Sequence, residues 1–196
     1  MKATEELRNE HKGIELMLKV LETVARRIES GKRIPAADLD SICEFFTVFV
    51  DACHHGKEET ILFPRIEKSG ISLSDSTTQV ALDDHIEGRR LVKKLKACFE
   101  DYKVGKPGAS QSVASSSKAV VSLFERHIKL EDNIIFPMAS EAMSVGMDDS
   151  LLLEFVKFEA EKLGPGRHDG FHNMLKRLKD AYPQQVKEKT TRIKRP

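Results

Sequence analysis

The sequence contains no tryptophan and only two tyrosines among 196 residues, and few prolines interrupt its long apolar-periodic segments. With Leu, Glu, Lys and Ala abundant, that composition favours helix over strand. Cysteine is also scarce. Cys43, Cys53 and Cys98 are odd in number and form no Cys-x-x-Cys pair, which argues against a disulfide framework or a thiolate zinc site and leaves them as small core residues. Charge of one sign is missing too: 32 basic residues nearly cancel 31 acidic ones, so no global field points to nucleic acid or an anionic membrane as a partner. No apolar run reaches the eighteen or so residues of a membrane span, and the opening stretch MKATEELRNEHKGIEL carries charges where a signal peptide needs apolar residues. The expectation is a cytoplasmic protein of ordinary single-domain size.

What is present is helical periodicity. Leu7, Ile14, Met17, Leu18, Leu21, Val24 and Ile28 recur at steps of three and four, predicting a first helix from about Thr4 to Ser30, stopped by Gly31. A second helix is expected after Pro35, through Ile42, Phe45, Phe46, Phe49 and Val50 toward His54 and Glu58, kinked or ended by Pro64. A third begins in the polar stretch Ser74 to Thr78 and runs through His85, Leu91, Leu95 and Phe99 to the breaker KVGKPGASQS. A fourth runs from about Val113 through Val120, Phe124, Ile128 and Ile134 to Pro137, or on to Met143. Such a series predicts an all-α, up-down-up-down four-helix bundle over residues 1–145. Residues 146–183 read as a helical extension, Leu151 to Leu163 and Phe171 to Tyr182, broken by Gly-Pro-Gly at 164–166. Residues 184–196 read as a basic, mobile tail.

Two stretches repeat. HHGKEETILFP (54–64) and HIKLEDNIIFP (127–137) each hold His-x-x-x-Glu with Phe-Pro at a fixed distance beyond it. Four helical residues advance about 400°, so His and Glu sit within about 40° of one another, about 6 Å apart along the axis, and can grip one ion. A lone pair of this kind is ordinarily a surface contact worth a few tenths of a kcal/mol; two copies in matching contexts are not. In an up-down bundle, helices two and four run the same way and bring both pairs to one level, where His11 and His85 complete four histidines and two glutamates. Such a set suits iron, zinc or manganese and demands no soft metal. His55 and Glu59 are also four apart, but aligning the two Phe-Pro dipeptides superposes His54 on His127 and Glu58 on Glu131, which favours His54 and Glu58.

The stretches NEHKGIELML, CHHGKEETILFP, DHIEGRRLVKKL and HIKLEDNIIFPMA resemble the four helices of the hemerythrin HHE cation-binding family, over about the first 145 residues. The resemblance implies an antiparallel bundle with an oxo- or hydroxo-bridged di-iron centre, held by His11, His54, Glu58, His85, His127 and Glu131, the glutamates bridging two Fe ions. In the oxygen carriers of the family the third helix supplies two histidines four apart; here Arg89 stands where the second would be. Those carriers also use an Asp five residues after the fourth-helix histidine, a role open to Asp132. The four-His, two-Glu set is similar instead to di-iron proteins implicated in repairing iron centres after nitrosative stress, and to the hemerythrin-like domain of an iron-sensing ubiquitin-ligase subunit. It implies a small diatomic or peroxide ligand (dioxygen, peroxide or nitric oxide), with an electron donor as partner, or else a non-enzymatic iron or oxygen sensor or a reversible carrier. Fewer histidines leave more coordination positions for water or substrate. Arg89 is expected to face solvent, and His168 and His172 to belong to a polar helix start.

Overall fold

The computed structural model describes residues 1–69, 77–142, 145–164 and 166–184. Residues 74–76 of the expected third-helix start, Met143, Pro165 of the Gly-Pro-Gly breaker, and the tail from residue 185 lie outside them. The described residues are helical throughout, with turns between. The first helix, α1 (Lys2–Glu29), buries the apolar stripe that predicted it, and Gly31 follows it with φ 77°, the left-handed conformation glycine adopts without strain. The second column is longer than Pro64 suggested. It comprises α2 (Ala36–Glu44), two segments of wide, π-type turns, π1 (Phe45–His55) and π2 (Glu58–Leu62), and α3 (Phe63–Lys68). Pro64 follows directly on the wide turns of π2, and the column continues through it without a break. The third column is α4 (Thr77–Lys103); the fourth is α5 (Ala109–Leu130), π3 (Glu131–Ile135) and α6 (Phe136–Ala142).

Each wide-turn segment carries a side chain that bonds a carbonyl four residues back: Thr47 to Cys43 at 2.9 Å, Thr60 to Gly56 at 2.6 Å and Asn133 to Lys129 at 2.8 Å. In π turns the backbone N–H reaches five residues back instead of four, and these short polar side chains supply a second donor to the ladder there.

In the packing, α5 lies along both α4 and α1, and α2 with π1 lies against α4. The apolar interior divides into two clusters. One gathers Ile14, Leu21, Phe46, Val50, Leu95, Phe124 and Ile128; the other gathers Leu7, Leu62, Ala81, Ile135, Phe136 and Phe155. On every column the chain passes from one cluster to the other across a histidine or glutamate, so a polar layer lies between two dry ones.

The C-terminal helices α7 (Val145–Leu163) and α8 (Arg167–Ala181) pack on α1 and π1 and contribute to both clusters, Leu151 and Phe155 to one and Phe171 and Leu178 to the other. Both begin earlier than the apolar pattern indicated, because their opening residues, VGMDDS and RHDG, carry no apolar stripe and include several polar residues. One of those polar residues has a distant partner: the Asp148 carboxylate accepts from the backbone N–H of Lys2 at 2.7 Å and of Ala3 at 2.9 Å. It thereby caps α1, whose own N-terminus offers no side-chain cap. Asp38 at the start of α2 similarly accepts from Tyr182 at 2.5 Å and pairs with Arg177. Asp148→Ala should therefore lower unfolding stability by about 1–2 kcal/mol, read from the urea midpoint, while leaving the distant histidine cluster intact. An unchanged midpoint would show that the cap is idle. No helix among the described residues is long and apolar enough to cross a membrane.

Candidate metal centre

The six residues named from the repeat and its flanking helices all lie in the polar layer, and all are buried. His11, in the N-terminal half of α1, meets His54 near the end of π1; His85, near the start of α4, meets His127 near the end of α5. Columns one and three run from the cluster of Leu7 and Ala81 to that of Ile14 and Leu95, and columns two and four run the reverse way, so neighbouring columns are antiparallel. His11 Nε2 and His54 Nε2 are 3.0 Å apart, and His85 Nε2 and His127 Nε2 are 3.2 Å apart. Glu131 approaches histidines of both pairs, 3.2 Å from His11, 3.2 Å from His127 and 3.7 Å from His85. Glu58 does the same at 3.5 Å from His54 and 3.5 Å from His85.

The rings are held from behind. His11 Nδ1–H donates to Asp132 at 3.0 Å, His54 Nδ1–H to Glu10 at 2.8 Å and His85 Nδ1–H to Glu59 at 2.7 Å. An ionised carboxylate only accepts, so each of these bonds places a proton on Nδ1 and turns Nε2 toward the centre. Asp132 and Glu59 are thus supports behind imidazoles in this geometry. Glu10 is itself fixed by Lys57, a fully buried ammonium that also approaches Glu6 and Glu159, each at 3.7 Å, and lies over the Phe155 ring.

All four carboxylate oxygens of Glu58 and Glu131 are buried without a hydrogen-bond partner. Buried charge without a partner is costly enough that a group ordinarily changes protonation instead. Burial and the neighbouring Glu131 push the Glu58 carboxyl well above its usual range, while the histidines hold Glu131 well below it against its burial. His11, despite burial, is raised to about 10 by Asp132 and Glu131, whereas burial and the other imidazoles depress His127 to about 4. In the metal-free protein, protons on His11 and Glu58 do the work that cations would do. Converging imidazole nitrogens and orphaned carboxylate oxygens are the donor set of a metal site, so these residues fit the group that the resemblance implies.

Two sets of donor atoms lie close enough to share an ion, every atom within 4.8 Å of the others: His11, His54, Glu58 and Glu131, and His55, Glu58, His85 and His127. Glu58 is common to both. The repeat chose His54 over His55; the geometry brings both in. His55 is buried and stacks on His85 with ring centroids 3.9 Å apart. The repeat alignment picks one histidine per copy, whereas in the wide turns of π1 successive residues are angularly closer, so adjacent imidazoles share one face. Glu10 and Lys57 were not foreseen either, because both point into the interior only where α7 covers them. Gly56 permits that cover: a Cβ there would lie 2.7 Å from the Phe158 ring.

Arg89 is exposed, donating to Asp51 at 2.7 Å and to Glu59 at 2.6 Å. His168 stands outside the central cluster, bonded through Nδ1 to Glu159 at 2.6 Å with the His172 ring beside it. His168, Glu159 and Glu10 form a third group of donors, but the Lys57 ammonium already lies among them.

The chain is 26% identical, over 178 residues, to an uncharacterized protein of Mycobacterium bovis and to uncharacterized proteins of two strains of Mycobacterium tuberculosis, covering 91% of this chain and 68% of each relative. No solved structure matches it. The model of the hemerythrin HHE cation-binding domain matches residues 2–139. A bundle of this topology, with a buried His and Glu cluster compatible with two bridged metal ions, is what that match requires, and the chain belongs to the hemerythrin HHE cation-binding domain family.

Proposed function

We propose that this protein holds two iron ions between its four columns and uses them to react with a small oxidant: dioxygen, peroxide or nitric oxide. The observation that carries this reading is the set of four orphaned carboxylate oxygens on Glu58 and Glu131, facing histidines of both donor sets. His11 and His54 would hold one ion, His55, His85 and His127 the other, and the two glutamates would span them. A bound iron pair supplies two electrons together to a small oxidant, to be restored by an electron donor.

The chain's own residues do the rest. Asp132, Glu10 and Glu59 keep three imidazoles in the metal-facing tautomer. Aromatic rings restrict water: Phe136 stacks on His11 at 5.3 Å, Phe124 on His55 at 5.9 Å and Phe63 on His85 at 6.1 Å. Three buried, unpaired cysteines fit a reducing compartment such as the cytoplasm.

His55 supports a second reading. A set of four histidines leaves more coordination positions open than five do, and His55 brings the number of buried imidazoles at the centre to five. That favours reversible carriage of dioxygen as the alternative. Stopped-flow mixing of reduced, iron-loaded protein with dioxygen separates the two: prompt, irreversible oxidation is expected, and a coloured form that bleaches under vacuum would establish the carrier.

A further inference from the structure

Three of the five buried imidazoles have a carboxylate within hydrogen-bond distance of Nδ1: Asp132 behind His11, Glu10 behind His54 and Glu59 behind His85. His55 and His127 do not. The nearest acids, Asp51 to His55 and Asp84 to His127, each stand 3.8 Å away and are each engaged by an arginine, Arg89 and Arg126, so both Nδ1 atoms are buried without a partner, and of the two it is His55 that lines an open cavity. A cavity of about 170 Å³ opens at this point. Its walls are Phe46, Phe124 and Val92, apolar and well packed, and Gly88 lies between them. Along its rim Arg89, Lys93 and Lys96 follow one another on one face of α4, at the i, i+4 and i+7 positions of a helical stripe. Asp51 is the one acid in the lining, and Arg89 already engages it.

The lining therefore combines a buried ring nitrogen without a partner, a net positive rim and apolar walls sized for a few heavy atoms. We propose that this cavity binds a small carboxylate or a comparable oxyanion, which accepts a hydrogen bond from His55 Nδ1–H and is drawn in by Lys93 and Lys96. The anion takes the place that a protein carboxylate takes behind His11, His54 and His85, and so completes the support of His55. Its bearing on the metal centre rests on the reading of His55 as a ligand; the anion site itself does not. A neutral ligand of equal size gains nothing from the lysines, and a large anion does not fit, so the cavity selects by both charge and volume.

Acetate, with acetamide as its neutral isostere, probes the cavity directly. Calorimetric titration at constant ionic strength, on metal-free and iron-loaded protein, should give saturable acetate binding in both. Binding should weaken at least about tenfold for acetamide and for the double variant Lys93→Gln/Lys96→Gln. In metal-free protein carrying nitrogen-15 histidine, acetate should also shift the His55 ring resonances. No saturable binding, equal binding of acetamide, or equal binding by the double variant overturns the proposal. So does acetate binding confined to the iron-loaded form and indifferent to the lysines, since the anion would then sit on the metal. Iron content measured on the same samples separates the two readings: acetate binding without iron uptake keeps the cavity and rejects the metal centre, and iron uptake without acetate binding does the reverse.

Discussion

Glu58→Ala should empty both metal positions, taking retained iron from about two ions per chain to well below one, because Glu58 is the one residue common to both donor sets. A ligand serving one ion alone should have a smaller effect. His127→Ala removes a nitrogen from a single set and is expected to leave more iron behind than Glu58→Ala does. His54→Ala and His55→Ala should each lower iron as well, since the geometry places one imidazole in each set. Glu59→Ala is the informative contrast: Glu59 is next in sequence but supports His85 from behind, and its loss should loosen binding about 10- to 100-fold rather than abolish it. Metal analysis with circular dichroism on the same samples checks the series. A Glu58→Ala protein that is folded and keeps its iron, beside a Glu59→Ala protein that has lost it, would reverse the assignment.

Chelation should lower the melting temperature by roughly 5–10 °C or more. At ligand concentrations near 100 times Kd, binding to the folded state alone stabilises by about 2.7 kcal/mol, and for chains of this size each kcal/mol moves the midpoint by about 2–4 °C. The difference should grow with pH. His11 in the folded, metal-free protein is raised from 6.5 to about 10, so its contribution to apo stability is full below about pH 6.5 and is lost as pH rises toward 10. Glu58, raised above its usual range, likewise favours the folded apo form when protonated and opposes it once ionised. Metal displaces both protons, so loading is weak in acid and strengthens toward neutral and alkaline pH. Glu10, held at about 2 against its burial by His54 and Lys57, works the other way: its stabilisation is present above about pH 4.5 and is lost as pH falls toward 2. Differential scanning calorimetry of apo and holo samples across this range reads both effects. Identical melting curves for rigorously prepared apo and holo protein would count against a buried metal site.

Much of this was legible in the sequence because it is local or periodic. The stripe of Leu7, Ile14, Leu21 and Ile28 predicts α1, and the repeated His-x-x-x-Glu before Phe-Pro places His54, Glu58, His127 and Glu131 at one level of the bundle. The remainder depends on geometry that spacing does not encode. His55 enters the cluster because π1 departs from the α-helical turn, and no residue count marks that departure in advance. Lys57 is enclosed because Phe155 and Glu159 arrive from α7, far along the chain, and Glu10 is buried between Lys57 and His54. Asp148 reads as the start of a polar helix, and its role as the cap of α1 is set by a contact across nearly the whole domain. Arg89 reads as a departure from the oxygen carriers; in the structure it pairs with Asp51 and Glu59, and the further buried imidazole beside His85 comes from His55 on π1.

The central claim is that four columns converge on two metal ions bridged by Glu58 and Glu131, and ferrous iron titrated anaerobically into metal-free protein tests it most directly. The account requires uptake to saturate at about two ions per chain, with Glu58→Ala failing to retain either. Saturation at one ion, or a Glu58→Ala protein that still takes up two, would contradict it.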